Sequence, residues 1–172
     1  MTPSGKRLSE VLRIWNEAVS RGSLHDSLSI LDAELLKKDD QQGVVGFFLV
    51  MKSQTYQEFG DHDSALSYAL RAVAFIPEDG LGWGQVGELM MNTGNVESAR
   101  ACFETELFLC KKSLDDTIPY PTSVISSYIH LIEVNCRLSN RDEAFKILQE
   151  ASDFSPDNPD LMLEHARQRL NL

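Results

Sequence analysis

The sequence predicts an all-α protein in which helical hairpins stack on one another as a solenoid. Apolar residues recur at intervals of three and four along most of the chain, which places them on one face of a helix. Turn residues interrupt this pattern repeatedly, and no run alternates apolar with polar residues as a half-buried strand does. Each interruption therefore indicates a turn between two antiparallel helices.

The stretch from Leu49 to Pro77 shows one such hairpin most clearly. Gly60 can end the first helix in a left-handed conformation without steric cost. Asp63 is predicted to cap the second helix, and Pro77 ends that helix because proline lacks an amide hydrogen. Small residues spaced by four and three on the second helix allow a neighbouring helix to pack closely. These residues are Ala65, Ala69 and Ala72.

The same pattern divides the whole chain into segments. Residues 1–6 are predicted to be a flexible N-terminal tail, and residues 7–157 an array of four helix pairs. A last helix over residues 158–172 is predicted to cap the open end of the stack with its polar side. The four pairs occupy about residues 7–40, 43–77, 80–113 and 122–156.

The spacing of the turns gives the period of the repeat. The turn residues are Gly22, Gly60, Gly94 and Ser139, which lie 38, 34 and 45 residues apart. The middle spacing equals the period of one known class of helical-hairpin repeat, and the outer spacings exceed it by four and eleven residues. The longer spacings are explained by insertions in loops.

The residues at equivalent positions of the four pairs also fit that class. The second pair carries Leu49, Ser53, Tyr56, Gly60, Ala65, Tyr68, Ala72 and Pro77; the third carries Trp83, Val86, Gly87, Met90, Gly94, Ala99 and Phe103; the fourth carries Tyr128, Leu131, Ser139, Ala144, Leu148, Ala151 and Pro156. In the first pair Ile14, Trp15, Ala18, Gly22 and Leu31 fit, but Ser27 stands where a small alanine belongs. On these residues the chain resembles tetratricopeptide repeat (TPR) proteins over about residues 7–157.

The resemblance implies a protein-binding surface. In such arrays the first helix of each pair lines an extended concave groove. Amides and carboxylates on these helices suit a partner's peptide backbone, and Val50 and Met51 suit its apolar side chains. The simpler alternative is that these positions are only solvated helix faces. The predicted groove residues are Asn16, Val50, Met51, Gln54, Gln85, Glu88, His130 and Glu133.

A second candidate surface is the loop that precedes the fourth pair. Tyr120 stands between two prolines there, so its side chain loses little conformational entropy on contacting a partner. The alternative is that Tyr120 folds over the stack and fills a gap.

Charge and composition exclude several kinds of partner. Sixteen basic and 26 acidic residues give a net charge of −10, which disfavours nucleic acid and anionic membranes. The same charge favours a basic partner, although solubility alone also explains it. No apolar stretch is long enough to span a membrane, and three cysteines without a paired motif are expected to be free thiols. The expected location is the cytoplasm.

The sequence contains no pattern typical of catalysis or metal binding. His25, His62, His130 and His165 have no second ligand at the usual spacing, and there is no glycine-rich phosphate loop. The prediction is therefore a non-enzymatic protein without metal, cofactor or small-molecule substrate. It is predicted to be an adaptor or assembly factor, chaperone-like, that binds a partner's peptide or helix in the groove. The alternative is an acidic inhibitor or immunity-type protein that covers a basic partner such as a nuclease toxin.

Overall fold

The computed structural model describes residues 3–37, 42–113 and 122–154, and these residues form only α-helices and turns. The predicted all-α class is thus confirmed. The predicted capping helix and the loop with Tyr120 lie outside the described residues. The helices in the described ranges are α1 (Pro3–Ser20), α2 (Leu24–Leu35), α3 (Gln42–Glu58), α4 (His62–Phe75), α5 (Gly80–Asn92), α6 (Val96–Lys112), α7 (Thr122–Arg137) and α8 (Arg141–Phe154).

The chain divides into two compact units. The first ends at Pro77 and contains α1 to α4, and the second begins at Glu78 and contains α5 to α8. Each unit therefore holds two of the predicted helix pairs.

The four turns within the helix pairs share one backbone conformation. The φ angle is 72° at Gly22, 80° at both Gly60 and Gly94, and 61° at Ser139. In each turn the amide after this residue donates to the carbonyl five residues earlier, as from Asn140 to Asn135 at 2.8 Å. This is the hydrogen bond of a Schellman motif, and it fixes which residues are equivalent in the four pairs.

Two helix starts differ from the sequence prediction. The N-cap of α4 is Asp61, not Asp63, and its side chain accepts a hydrogen bond of 3.1 Å from the amide of Ser64. The cap comes earlier because α4 restarts directly after the left-handed Gly60. Helix α1 begins at Pro3 rather than after residue 6, since proline is tolerated in the first turn of a helix.

Small side chains at the helix contacts let large ones fill the spaces beside them. Ala65 and Ala69 on α4 and Ala99 on α6 have no exposed surface. In the first unit Tyr56 and Tyr68 stack with ring centroids 5.4 Å apart. The second unit packs around a cluster that includes Phe103, Tyr128, Ile132 and Leu148.

Replacement of Ala72 tests this packing. Ala72 is 3% exposed and belongs to a cluster with Leu49 and Val50, so Ala72→Leu is expected to lower the free energy of unfolding by about 1–3 kcal/mol through overpacking. Urea denaturation measures the change. Ala74→Leu, at an exposed position of the same helix, is the control and is expected to leave stability within about 0.5 kcal/mol. Equal loss in both variants would show that the buried face of α4 is assigned wrongly.

Candidate partner-binding site

The first unit leaves two of the predicted groove residues accessible. Asn16 on α1 is exposed and lines an open depression of about 490 Å³ together with Arg13, Glu17 and Arg21. Gln54 on α3 is half-buried. Both side chains can still reach a partner.

The other two predicted residues of the first unit lie in its core. Val50 and Met51 are each 2% exposed. Met51 packs in a cluster with Val11, Leu31 and Phe48. Because so little of their surface is accessible, Val50 and Met51 do not offer the apolar anchor points that the sequence analysis expected.

In the second unit Glu88, His130 and Glu133 lie together, whereas Gln85 is 3% exposed. The three residues border a pocket of about 220 Å³ between α5 and α7. This surface is called the His130 pocket below. Its lining residues are Glu88, Met91, Asn92, Phe103, His130, Glu133 and Arg137.

His130 is held by a carboxylate on each side. Its Nδ1 lies 3.1 Å from Oε2 of Glu106 on α6, and its Nε2 lies 3.4 Å from Oε1 of Glu88 on α5. The imidazole also stacks on the ring of Phe103, with centroids 4.6 Å apart. Two acceptors and an aromatic face all favour the doubly protonated imidazolium.

The pKa of His130 follows from this environment. Burial alone would lower it, but the hydrogen bonds to Glu106 and Glu88 and the attraction of both carboxylates outweigh burial and raise the pKa to about 9. At neutral pH the floor of the pocket therefore carries a fixed positive charge between two negative ones.

Glu106 was not among the predicted site residues. Its side chain is 8% exposed and lies against α5, where Gly84 leaves room for it. A Cβ at Gly84 would come within 2.7 Å of the Glu106 carboxyl carbon, so any larger residue there would displace this carboxylate from its present position. The signal in the sequence was the group of glycines in α5, at positions 80, 82, 84 and 87, which is unusual inside a helix.

Arg137 is the second residue that the sequence analysis missed. Its guanidinium donates to Oε1 of Glu133 at 3.2 Å and to the carbonyl of Met91 at 3.3 Å. It therefore links the C-terminal end of α7 to α5. Arg137 and Glu133 remain 46% and 27% exposed, so the rim of the pocket presents both charges to a ligand.

Solved structures share this fold over most of its length. A kinesin-light-chain-type protein from Podosopora anserina with nearly identical TPR-like repeats has a TM-score of 0.69 at 16% identity, covering 96% of this chain and 87% of that one. The Sgt2 TPR domain from Aspergillus fumigatus has a TM-score of 0.57 at 16% identity, covering 82% and 83%. YrrB, a TPR protein with an unusual peptide-binding site, has a TM-score of 0.62 at 18% identity, covering 90% and 71%.

The class of protein follows from the fold. The chain has the tetratricopeptide-repeat fold, as the turn spacing and the repeated residues predicted. No protein-family model matches the sequence, and no curated protein matches it either. No helix in the described ranges has the length and apolar character needed to cross a bilayer.

Proposed function

We propose that the protein is a non-enzymatic binding module that holds a peptide or helix of a partner protein across the face formed by α5 and α7. The observation that carries this proposal is the His130 pocket, in which three residues chosen from sequence alone converge on one cavity. Asn16 and Gln54 are the corresponding accessible positions in the first unit. The proposal includes that the protein acts as an adaptor or assembly factor and that it does so in the cytoplasm.

The charges of the pocket suit a peptide. Glu88 and Glu133 offer partly exposed acceptors for backbone amides or basic side chains, and Arg137 offers a donor for carbonyl groups. His130 pairs with Glu106 at 3.1 Å beneath these groups and lies 3.4 Å from Glu88, so it helps to hold the Glu88 carboxylate in place. A TPR protein with the same fold is described as having a peptide-binding site, which also supports the proposal.

The inhibitor-type alternative gains no support. None of the similar structures reported above is described as an inhibitor or an immunity protein. Acidic and basic side chains on the face of α5 and α7 are interspersed, so no single-sign surface for a nuclease stands out there.

Blocking the pocket tests the function. Asn92 is exposed at the pocket and makes none of the ion pairs described above, so Asn92→Trp is expected to fill the opening without changing the melting temperature. Partners recovered with the tagged wild-type chain and identified by mass spectrometry are expected to bind this variant at least about tenfold more weakly, as for a blocked central contact. Isothermal titration with a purified partner measures the affinity.

Two further variants serve as comparisons for Asn92→Trp. Ser98→Trp places the same bulk at an exposed position of α6 outside the pocket and is expected to retain binding. Tyr120→Ala removes the tyrosine of the loop before the fourth helix pair, which is the other candidate binding surface. If Tyr120→Ala loses the partners while Asn92→Trp retains them, the loop is the binding site and the pocket is not.

A further inference from the structure

One position in the first unit carries a buried lysine where the other helix pairs have aliphatic side chains. Counted from the left-handed turn residue of each pair, Lys52 on α3 is equivalent to Ile14, Val86 and Leu131. Lys52 is 5% exposed. An aliphatic side chain can be buried there without a partner, whereas an ammonium group needs one, and such departures from a pattern are expected near functional surfaces.

The contacts of Lys52 help to fix the ring of Tyr68. The ammonium lies 2.6 Å from Oδ1 of Asp32 on α2 and 4.5 Å from the ring centroid of Tyr68 on α4. Burial alone would lower the pKa of Lys52, but hydrogen bonds with Asp32 and Tyr68 outweigh burial and raise the pKa, so the lysine stays charged. The ring of Tyr68 also stacks on Tyr56, with centroids 5.4 Å apart. Two side chains of α3 therefore hold Tyr68.

A second cation lies against the same ring and has no carboxylate partner. The guanidinium carbon of Arg71 is 4.7 Å from the ring centroid of Tyr68. Arg71 is exposed, and among the residues that the structure describes it forms no ion pair. The other residues one helical turn from it on α4 are Ser67, Ala74 and Phe75, none of which is acidic. The guanidinium of Arg71 is therefore available to a group of another molecule.

The charges around Tyr68 do not cancel when their internal pair is counted. Lys52 and Arg71 against Asp32, which pairs with Lys52, are two positive charges and one negative charge, a net charge of +1. Asp61 lies at the other end of α4, about 15 Å from Arg71 along the helix, and caps that helix. Exposed charges further away than about 8 Å are largely screened at physiological salt, so the acidic character of the whole chain does not remove this excess.

An exposed phenylalanine continues the same side of α4. Tyr68, Arg71 and Phe75 follow one another at intervals of three and four residues, which places them on one face of the helix. Phe75 is 45% exposed, so its ring can contact a partner, unlike Val50 and Met51. Tyrosine and arginine are enriched among the residues that carry most of the binding energy at protein interfaces. Tyr68, Arg71 and Phe75 are called the α4 stripe below.

The chemistry of the α4 stripe determines which partner it suits. A guanidinium group presents its N–H donors in a fork that matches a carboxylate. The contact with Tyr68 restricts the Arg71 side chain before a partner arrives, which lowers the entropy lost on binding. Phe75, one turn away, offers apolar surface. A carboxylate beside an apolar side chain is therefore complementary to this face.

We infer that the α4 stripe binds an acidic peptide segment of a partner protein. A carboxylate of that segment pairs with Arg71, and a neighbouring apolar side chain packs on Phe75. This inference does not rest on the proposed function, because the α4 stripe and the His130 pocket belong to different units and have no residue in common.

Three unlabelled peptides test the chemistry of the partner. The probe is a short peptide of glutamate, leucine and glycine; in one counterpart glutamine replaces glutamate, and in the other serine replaces leucine. Nuclear magnetic resonance titration of the isotope-labelled chain is expected to show at least about tenfold weaker binding of either counterpart, because the carboxylate and the apolar side chain are both needed. The probe is expected to shift the backbone amides of Tyr68, Arg71 and Phe75. Equal binding of the probe and the glutamine counterpart, or shifts confined to the His130 pocket, would overturn the inference.

A matched pair of variants locates the binding. Arg71→Gln removes the positive charge of the α4 stripe and is expected to weaken binding of the probe at least about tenfold. The melting temperature is expected to stay the same, because Arg71 is exposed and loses no ion pair with a described residue. Arg21→Gln makes the same change at an exposed arginine of the same unit and is expected to retain binding. Undiminished binding by Arg71→Gln, or equal loss in both variants, would contradict the inference.

Sedimentation tests whether a second copy of the chain covers the α4 stripe instead. Phe75→Ala is expected to bind the probe more weakly and, without peptide, to sediment as the wild type does. A wild-type dimer that dissociates in Phe75→Ala would assign the stripe to contacts between copies and would overturn the inference.

Discussion

Met51→Glu is expected to lower the free energy of unfolding by more than about 3 kcal/mol or to prevent folding. Met51 is 2% exposed and packs in a cluster with Val11, Leu31 and Phe48, so a carboxylate there would be buried among apolar side chains. Burial of an unpaired charge is among the most destabilising single changes in a protein. Urea denaturation followed by circular dichroism measures the loss.

Two controls separate the charge from the change of shape. Met51→Leu conserves the volume approximately and is expected to cost less than about 1.5 kcal/mol. Gln54→Glu introduces the same carboxylate three residues further along α3, at a half-buried position, and is expected to cost far less than Met51→Glu. If Met51→Glu has the same urea midpoint as the wild type, Met51 faces solvent, and the prediction that it lines the groove stands.

The turns were the most predictable part of the fold because they depend on local geometry. A left-handed turn residue leaves a local signature, as at Gly60, although the N-cap that follows it was predicted two residues too late, at Asp63 instead of Asp61. Even Ser139, which has a side chain, adopts φ of 61° because the same Schellman hydrogen bond closes its turn. Neighbouring residues alone are therefore enough to locate the helix pairs.

The face that each helix buries was less predictable. A helix inside a repeat array packs on its own partner and on a neighbouring pair, so apolar residues occupy more than one of its faces. In α3 the stretch GVVGFFLVM is apolar almost without interruption, and periodicity cannot distinguish core positions from groove positions there. This is why Val50 and Met51 were assigned to the groove although both are buried.

The candidate site was predictable only on the first helices of the pairs. Glu88, His130 and Glu133 are polar residues on α5 and α7, so the resemblance to TPR proteins pointed to them. Glu106 lies on a second helix, and its contact with His130 spans 24 residues of sequence. No local pattern encodes such a pairing, and only the glycine at position 84, which makes room for the carboxylate, hinted at it.

The charge on His130 is expected to make stability depend on pH in a defined window. The folded pKa of about 9 is above the ordinary value of 6.5, so the contribution of His130 is fully present below pH 6.5 and is lost as the pH rises to about 9. At 1.36 kcal/mol per pH unit, this difference corresponds to roughly 3 kcal/mol. Urea denaturation at a series of pH values is expected to show this loss for the wild type relative to His130→Gln.

Replacement of Glu106, the buried carboxylate partner of His130, tests whether this ion pair causes the pH dependence of stability. Glu106→Gln keeps the size and an acceptor beside Nδ1 of His130 but removes the charge, so the pKa of His130 is expected to fall and most of the pH dependence to disappear. It is also expected to lower stability at pH 6, by less than the roughly 3 kcal/mol that both carboxylates together contribute, because Glu88 remains beside the imidazole. His62→Gln, at an exposed position of α4, is the control and is expected to retain the pH dependence of stability seen in the wild type.

If Glu106→Gln also retained the wild-type pH dependence, Glu88 alone would hold the proton on His130. Glu88 lies 3.4 Å from the imidazole and is the more exposed of the two carboxylates. The buried pair with Glu106 would then contribute nothing to the charge at the base of the pocket.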